Sequence, residues 1–445
     1  MKNLLILHLE SISRQRFECF ASAFPSTRAL MADALVFDNY VSSATSTMMV
    51  LTYLWHGNDF EFDAATEFEG MRPARNNPNL FSVLRDHGYR TGLIGLNAFH
   101  ALQPTRLSAW PDDLPPVWGT NDFPTLHAKF DELTDDGPFA LYVWDLVTHV
   151  EHSQALSPFA NGLTDQLQRA CAVADEAIGE CLATLERKGL LANTTIVVYG
   201  DHGDDYWTHG FRGGLVHGTE PYADITSAPL AIRDPALPAG VYSGLASTID
   251  LRATCLGLLG IDGGTSFAPS GIDLLGGVND VVFAQNFTAN QPDWPARGIA
   301  KTFAATDGTY TLLANSGGLE LYANRLDPGN HCNLLQFFTL APGGGLVLRN
   351  LVNASMHFRA ALADNRRNLD HLEGGFRRLR DALATRVAAK RAFIEAQGAA
   401  ATHALDPKCL DRIGRRGCEV AGAGAPVTAS PPTTHVAFDF SVKLR

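Results

Sequence analysis

Thr194-Thr195-Ile196-Val197-Val198-Tyr199 is a short apolar run that reads as a strand buried on both faces, and it stops just before Asp201-His202-Gly203. A strand of that kind belongs to a parallel sheet covered by helices on either side. Open α/β sheets keep their ligand sites beyond the C-terminal ends of their strands. There a carboxylate and an imidazole set side by side can converge on one divalent cation. The same dipeptide also suits a turn or a helix cap. What the rest of the chain brings to that edge decides between them.

Three further segments end in suitable groups. Asn3-Leu4-Leu5-Ile6-Leu7-His8-Leu9 reads as another doubly buried strand, and it delivers Glu10 and Ser11 to its C-terminal end. The Leu35–Val41 stretch runs into Ser42-Ser43-Ala44-Thr45-Ser46-Thr47 and then a helix-like segment from Met48 to Trp55. A hydroxyl at that helix start faces unpaired backbone N–H groups and the positive end of the macrodipole, which favour an alkoxide or a phosphate. It is a candidate nucleophile, although such clusters also supply N-caps and at least one of these hydroxyls is expected to do so. Finally, Ala140-Leu141-Tyr142-Val143-Trp144 ends in Asp145-Leu146-Val147-Thr148-His149.

With these pieces in order, the first 340 or so residues resemble the sulfatase-like branch of the alkaline phosphatase superfamily. The likeness is carried by Phe24–Leu30 followed by Leu35–Tyr40, by Leu80–Thr91, and by Asp175–Gly179 leading into Lys188–Thr195. It continues through Ser247–Leu251, Leu321-Tyr322, Asp327-Pro328 and Asn333-Leu334. The resemblance implies an α/β, alkaline-phosphatase-like core: a large mixed, mostly parallel sheet between helices, with a small C-terminal antiparallel sheet and a helical extension. It also implies that Glu10, Thr47, Asp201 and His202 bind one divalent cation. Thr47 is the implied nucleophile, because Ala44-Thr45-Ser46-Thr47 is similar to the Gly-Thr-Ser-Thr stretch of phosphoethanolamine transferases, whose second threonine attacks. His8-Leu9-Glu10-Ser11 is similar to a segment of lipoteichoic acid synthases. Sulfatases proper use a Cys or Ser followed by Pro and Arg and oxidised to formylglycine. Thr47-Met48-Met49 departs from that pattern, and a threonine cannot become the aldehyde.

Two-metal phosphodiesterases of the superfamily carry an Asp-x-x-x-His resembling Asp145–His149, completed by a downstream His that here is His217. That resemblance implies a second cation on Asp145, His149 and His217. The alternatives are an imidazole at His149 that binds phosphate and an Asp145 that orients it. Mixed N and O donors favour Zn or Mn. His149, His152, His209 and Arg212 are the candidate substrate-binding residues, on loops where such groups concentrate. Arg14 and Trp207 are weaker candidates, and Trp55 and His56 are expected in the core.

The formal net charge of −12 speaks against general nucleic-acid binding. Seven scattered cysteines without a Cys-x-x-Cys point to reduced thiols, with Cys409 and Cys418 near enough in sequence to pair. The N-terminal apolar run is interrupted by His8 and Glu10 and lacks a cleavage site, so it reads as a core strand rather than a leader. No run approaches the roughly 20 apolar residues of a membrane span, and a cytoplasmic location is expected. The domains expected are a core over 1–280, a small antiparallel unit over 281–345, a helical extension over 346–397 broken or kinked at Gly374-Gly375, and a loose tail over 398–445 in which Thr434–Phe438 docks on the body. The expected function is metal-dependent phosphotransfer or phosphodiester cleavage on a phosphorylated small molecule, glycan, polyol or lipid head group. Sulfate-ester hydrolysis and a non-catalytic binding relative are the alternatives, and the oligomeric state is left open.

Overall fold

The protein is described by a computed structural model, which covers residues 1–62, 72–73, 77–96, 114–120, 122–206, 208–209, 215–217, 220–264, 270–286, 302–315, 318–348, 369–396 and 413. Eight strands form the main sheet: β1 (Asn3–Leu9), β2 (Leu35–Val41), β3 (Arg90–Leu96), β4 (Val117–Thr120), β5 (Phe139–Asp145), β6 (Thr194–Gly200), β7 (Leu230–Arg233) and β8 (Gly240–Ser247). Their order is β8-β2-β7-β6-β1-β5-β3-β4, and β7 alone runs antiparallel to its neighbours. All seven residues of β1, β5 and β6 are buried, which is why these segments read as unbroken apolar runs.

Alternate residues of these strands feed two separate cores. Leu4, Ile6, Tyr142, Trp144, Val197 and Tyr199 pack on one face against α3 (Thr47–His56), α4 (Leu80–Asp86) and α7 (Asp250–Leu258). Leu5, Leu7, Leu141, Val143, Ile196 and Val198 pack on the other against α1 (Arg14–Cys19), α2 (Pro25–Ala32), α5 (Phe123–Leu133) and α6 (Leu163–Arg187). Every residue of α3 is buried, as expected of a helix that is apolar all round. Trp55 and His56 are core residues of that helix.

The second unit is a four-stranded antiparallel sheet of β9 (Val282–Gln285), β10 (Phe303–Thr306), β11 (Tyr310–Asn315) and β12 (Gly318–Ala323). A ribbon pairing Phe338–Leu340 with Leu346–Leu348 follows it, so strand structure runs past residue 345. Helix α8 (Leu369–Ala396) lays Leu372, Phe376, Leu379 and Leu383 on this sheet. It runs unbroken through Gly374-Gly375, so the expected break is absent. The glycine is there for clearance, since a Cβ on Gly375 would stand 2.7 Å from Cδ2 of Tyr310. Of the expected 398–445 tail only Ile413 is described, in a bridge to Leu319, and Thr434–Phe438, Cys409 and Cys418 lie outside the described residues. The five described cysteines are free thiols.

Buried polar groups join α8 to the unit built on the main sheet. Arg386 and Lys390 both pair with the carboxylate of Asp59, which follows α3 by three residues. Lys390 also bonds Gln285 Oε1 at 3.0 Å, and Gln285 Nε2 donates to the Tyr53 hydroxyl on α3.

Candidate active site

Strand register assembles the site. Leu9 pairs with Asp145 on one side and with Gly200 on the other, so the residues that follow β1, β5 and β6 leave the sheet at the same edge. Glu10 and Asp201 are fully buried there. The chain turns sharply after β1 through Ser11, a non-glycine residue at φ 55°. In that left-handed conformation its backbone N–H donates to Asp201 Oδ1 at 2.8 Å and its hydroxyl donates to Glu10 Oε1 at 3.0 Å. A cost of about 1–3 kcal/mol for such a backbone persists where the surroundings fix it, typically at functional sites. Gly203 is equally constrained, because a Cβ there would lie 2.2 Å from the Asp224 carbonyl oxygen and 2.6 Å from Ser13 Cβ.

Thr47 is the first residue of α3. Ser46, in the cap position, makes no side-chain capping bond, while Ser42 bonds Ala44 O and Ser43 bonds Ser247. The expected hydroxyl N-cap is thus absent, and the helix start faces the sheet edge. Thr47 Oγ1 donates to Glu10 Oε1 at 2.9 Å and lies 3.0 Å from His202 Nε2. His202 Nε2 is 3.2 Å from Asp201 Oδ2. His202 Nδ1 is 2.9 Å from the Gly203 carbonyl, which only an N–H can satisfy. The neutral ring therefore carries its lone pair on Nε2. Burial pushes the His202 pKa down, and despite the opposing pull of Asp201 it stays below its ordinary value.

Lone pairs from Glu10, Asp201, His202 and Thr47 thus converge with few protons among them. Asp201 Oδ2 is buried and has no hydrogen-bond partner among the described residues. Burial opposes ionisation of Asp201, but His202, His8 and the Ser11 amide outweigh it and hold the carboxyl below its usual range. A buried, mixed N and O donor set with an orphaned carboxylate oxygen suits a divalent cation. Trp144 Nε1 donates to Glu10 Oε2 at 2.7 Å, and Thr148 Oγ1 donates to the Glu10 carbonyl at 2.6 Å, fixing that carboxylate from behind.

The second expected group is arranged differently. Among the described residues, three clusters bring imidazoles and carboxylates close enough for one ion, and Asp145 belongs to none of them. Asp145 Oδ1 accepts the Val147 N–H at 2.8 Å, and burial pushes its pKa up to about 7. His149 and His217 do meet, with ring centres 5.0 Å apart, and His217 lies 4.4 Å from the His202 ring. His217 Nδ1 is taken by Asp204 Oδ1 at 2.9 Å. Burial lowers the His217 pKa, but Asp204 more than reverses this and leaves it raised. Arg16, 3.8 Å from Asp204, and Tyr206, whose hydroxyl donates to it at 3.3 Å, brace the same carboxylate.

His209 is built into the scaffold rather than turned to a substrate. Its Nδ1 meets Asp205 Oδ2 at 3.0 Å, and its Nε2 meets the Gly329 and Asn330 carbonyls at 2.9 and 3.1 Å. Both nitrogens thus lie within hydrogen-bond reach of acceptors, and the ring is stacked 3.8 Å from Tyr222. Arg14 donates to the Phe37 carbonyl and pairs with Asp38. Arg212, Trp207 and the side chain of His152 lie outside the described residues.

The sequence reading did not single out Asp204, Arg16, Trp144 or Thr148. Asp204 was the most accessible of these, two residues beyond His202; the others act through contacts that only the sheet register creates.

The sulfatase family model matches residues 2–261, more than half of the chain. The chain belongs to the sulfatase family. No curated protein matches it in sequence. Solved structures share the fold of this chain at low identity. A phosphonate monoester hydrolase of Agrobacterium radiobacter aligns with a TM-score of 0.56 at 15% identity, over 79% of this chain and 100% of the other. The lipoteichoic acid synthase LtaP from Listeria monocytogenes aligns at 0.54 and 15%, over 83% and 92%. A 2-O GAG sulfatase aligns at 0.58 and 14%, over 93% and 96%. The sulfatase fold seen here is that of the alkaline phosphatase superfamily, whose members act on sulfate or phosphate esters. Among the described residues no helix is long and apolar enough to cross a membrane.

Proposed function

We propose that this sulfatase-family chain is a metal-dependent phosphotransferase or phosphodiesterase in which Thr47 is the nucleophile. The observation that carries the reading is the position of Thr47 Oγ1, at an uncapped helix start, 2.9 Å from Glu10 Oε1 and 3.0 Å from His202 Nε2. Glu10, Asp201, His202 and Thr47 are the residues that hold the cation, and their mixed donors favour Zn or Mn. When bound, a divalent ion supplies Lewis acidity and lowers the pKa of a hydroxyl it contacts.

The chain's own groups account for the rest. Glu10 accepts the Thr47 proton, and the α3 N-terminus favours the developing negative charge on Oγ1. His217, held by Asp204, and His149 face the same space and are placed to bind the phosphoryl oxygens of a phosphorylated glycan, polyol or lipid head group. Sulfate-ester chemistry of the formylglycine type does not suit this nucleophile. Oxidising a threonine at Cβ yields a ketone, because the methyl group remains.

The test is a panel of aryl phosphodiesters, phosphomonoesters and sulfate esters given to the metal-reconstituted protein and to Thr47→Ala. A phosphate ester should be turned over fastest, and the variant should lose that turnover while keeping its fold, since a helix-start threonine contributes only about 1 kcal/mol. Preferred turnover of a sulfate ester, or an undiminished variant, would overturn the reading.

A further inference from the structure

A chain of polar atoms crosses the sheet face that packs on α3. His8, Tyr142 and Tyr199 come from the adjacent strands β1, β5 and β6, and all three are buried. The Tyr199 and Tyr142 hydroxyls are 2.6 Å apart, and Tyr142 Oη is 2.8 Å from His8 Nδ1. The imidazole is stacked against Trp144 and Tyr199, with ring centres 5.4 and 5.2 Å away. Its Nε2 faces Asp201 Oδ2 at 3.3 Å and Glu10 Oε2 at 3.6 Å. Neither His8 Nε2 nor Asp201 Oδ2 has a better hydrogen-bond partner among the described residues.

Counting protons gives the chain a direction. Each phenol has one proton to donate, and a neutral imidazole has one N–H and one lone pair. If Tyr199 donates to Tyr142 and Tyr142 donates to His8 Nδ1, the imidazole proton sits on Nε2, aimed at the carboxylates. The reverse order would set a lone pair against two carboxylates and turn the Tyr199 proton into an apolar core. A buried polar side chain in that core is costly unless it is satisfied, and only the first order satisfies all three.

We propose that His8 is a positioning residue, which donates from Nε2 to Asp201 and holds that carboxylate for the cation, while Tyr142 and Tyr199 fix its tautomer. A single N–H from Nε2, 3.3 Å from Asp201 Oδ2, aligns the carboxylate for the ion. The proposal rests on the reading that Glu10, Asp201 and His202 bind a divalent cation.

The experiment titrates zinc into the full-length, metal-free protein against a competing chelator, with thermal unfolding followed alongside. The variants are His8→Phe, His8→Gln and Tyr142→Phe. His8→Phe should weaken zinc binding about 10- to 100-fold, the range for losing an outer partner of a ligand. His8→Gln, whose amide N–H can replace the donor, should recover most of that affinity. Tyr142→Phe should fall between the unsubstituted protein and His8→Phe. Affinity of His8→Phe within about twofold of the unsubstituted protein, well below that range, overturns the proposal. A His8→Gln variant as weak as His8→Phe also overturns it, since His8 then acts as a ligand. Should His8→Phe not fold, unchanged affinity in Tyr142→Phe or lost affinity in His8→Gln has the same meaning. Failure of the unsubstituted protein to bind zinc or manganese is a separate result that removes the cation reading and this proposal together.

Discussion

Two groups of buried carboxylates in this chain are finished in opposite ways. Asp59, between α3 and α8, faces two cations, Arg386 and Lys390, and Phe60 offers its ring to both. Burial pushes the Asp59 pKa up, but the two cations outweigh it and hold the carboxyl below its ordinary value. At the sheet edge, Glu10, Asp201 and Asp145 are buried among imidazoles and hydroxyls. Asp145 Oδ2 has no hydrogen-bond partner among the described residues, and Asp201 Oδ2 is approached by His8 Nε2 only at 3.3 Å. The clamp is complete within the chain, whereas the sheet edge is electrostatically incomplete, and that deficit is what a bound cation would fill.

Breaking the incomplete cluster should have the largest effect. Glu10→Ala and Asp201→Asn should each lose the cation and reduce turnover at least about a thousandfold, several kcal/mol of transition-state stabilisation. Metal analysis of the purified variants beside steady-state kinetics checks this, and full metal content in both would remove these residues from the site. Breaking the clamp should act on stability first. Asp59→Asn leaves two buried cations without their carboxylate and should cost about 3–5 kcal/mol in urea unfolding, the range for removing one partner of a buried pair. Equal loss of metal binding and stability in this variant would mean that the two regions are not independent.

pH should separate the regions further. Asp59 has a lowered pKa, so its contribution is present above the unfolded carboxyl value and is lost as the medium becomes more acidic. Asp145 has the opposite sign. Its pKa is pushed from 3.8 to about 7, so the stability of the neutral form is present below the unfolded value and is lost as pH rises through about 7. In metal-free protein at pH 8, Asp145→Asn should therefore be more stable than the unsubstituted chain, by a few kcal/mol at most given about 1.4 kcal/mol per pKa unit. No difference between them from pH 5 to 8 would contradict that assignment. The smallest effect is expected at Gly375→Ala, where crowding of Tyr310 costs about 1–3 kcal/mol and better helix propensity returns about 1. A net gain in melting temperature would show that the ring can move aside.

The two regions also differ in how much of each was legible in the sequence. β1, β5 and β6 announced themselves as apolar runs, and each bears its polar residues at or just past its C-terminal end. Glu10, Asp201 and His202 are thus local features of short segments, and the resemblance to known enzymes added Thr47. The pairing of His217 with Asp204 was harder to see, because 13 residues and a short ribbon separate them. The clamp was invisible for a plainer reason. Arg386 lies 327 residues from Asp59, and arginines on a charged helix ordinarily face solvent. Gly374-Gly375 misled because helix propensity was read without the Tyr310 ring that the backbone has to clear.

The most direct test of the central claim is to find the phosphoryl group on Thr47. Metal-reconstituted protein is mixed with an aryl phosphodiester, quenched in acid during the first turnover, digested and sequenced by mass spectrometry. The account predicts a phosphorylated or phosphodiester-modified Thr47, absent from Thr47→Ala. A modified residue elsewhere, or full turnover by Thr47→Ala with no adduct, would contradict it.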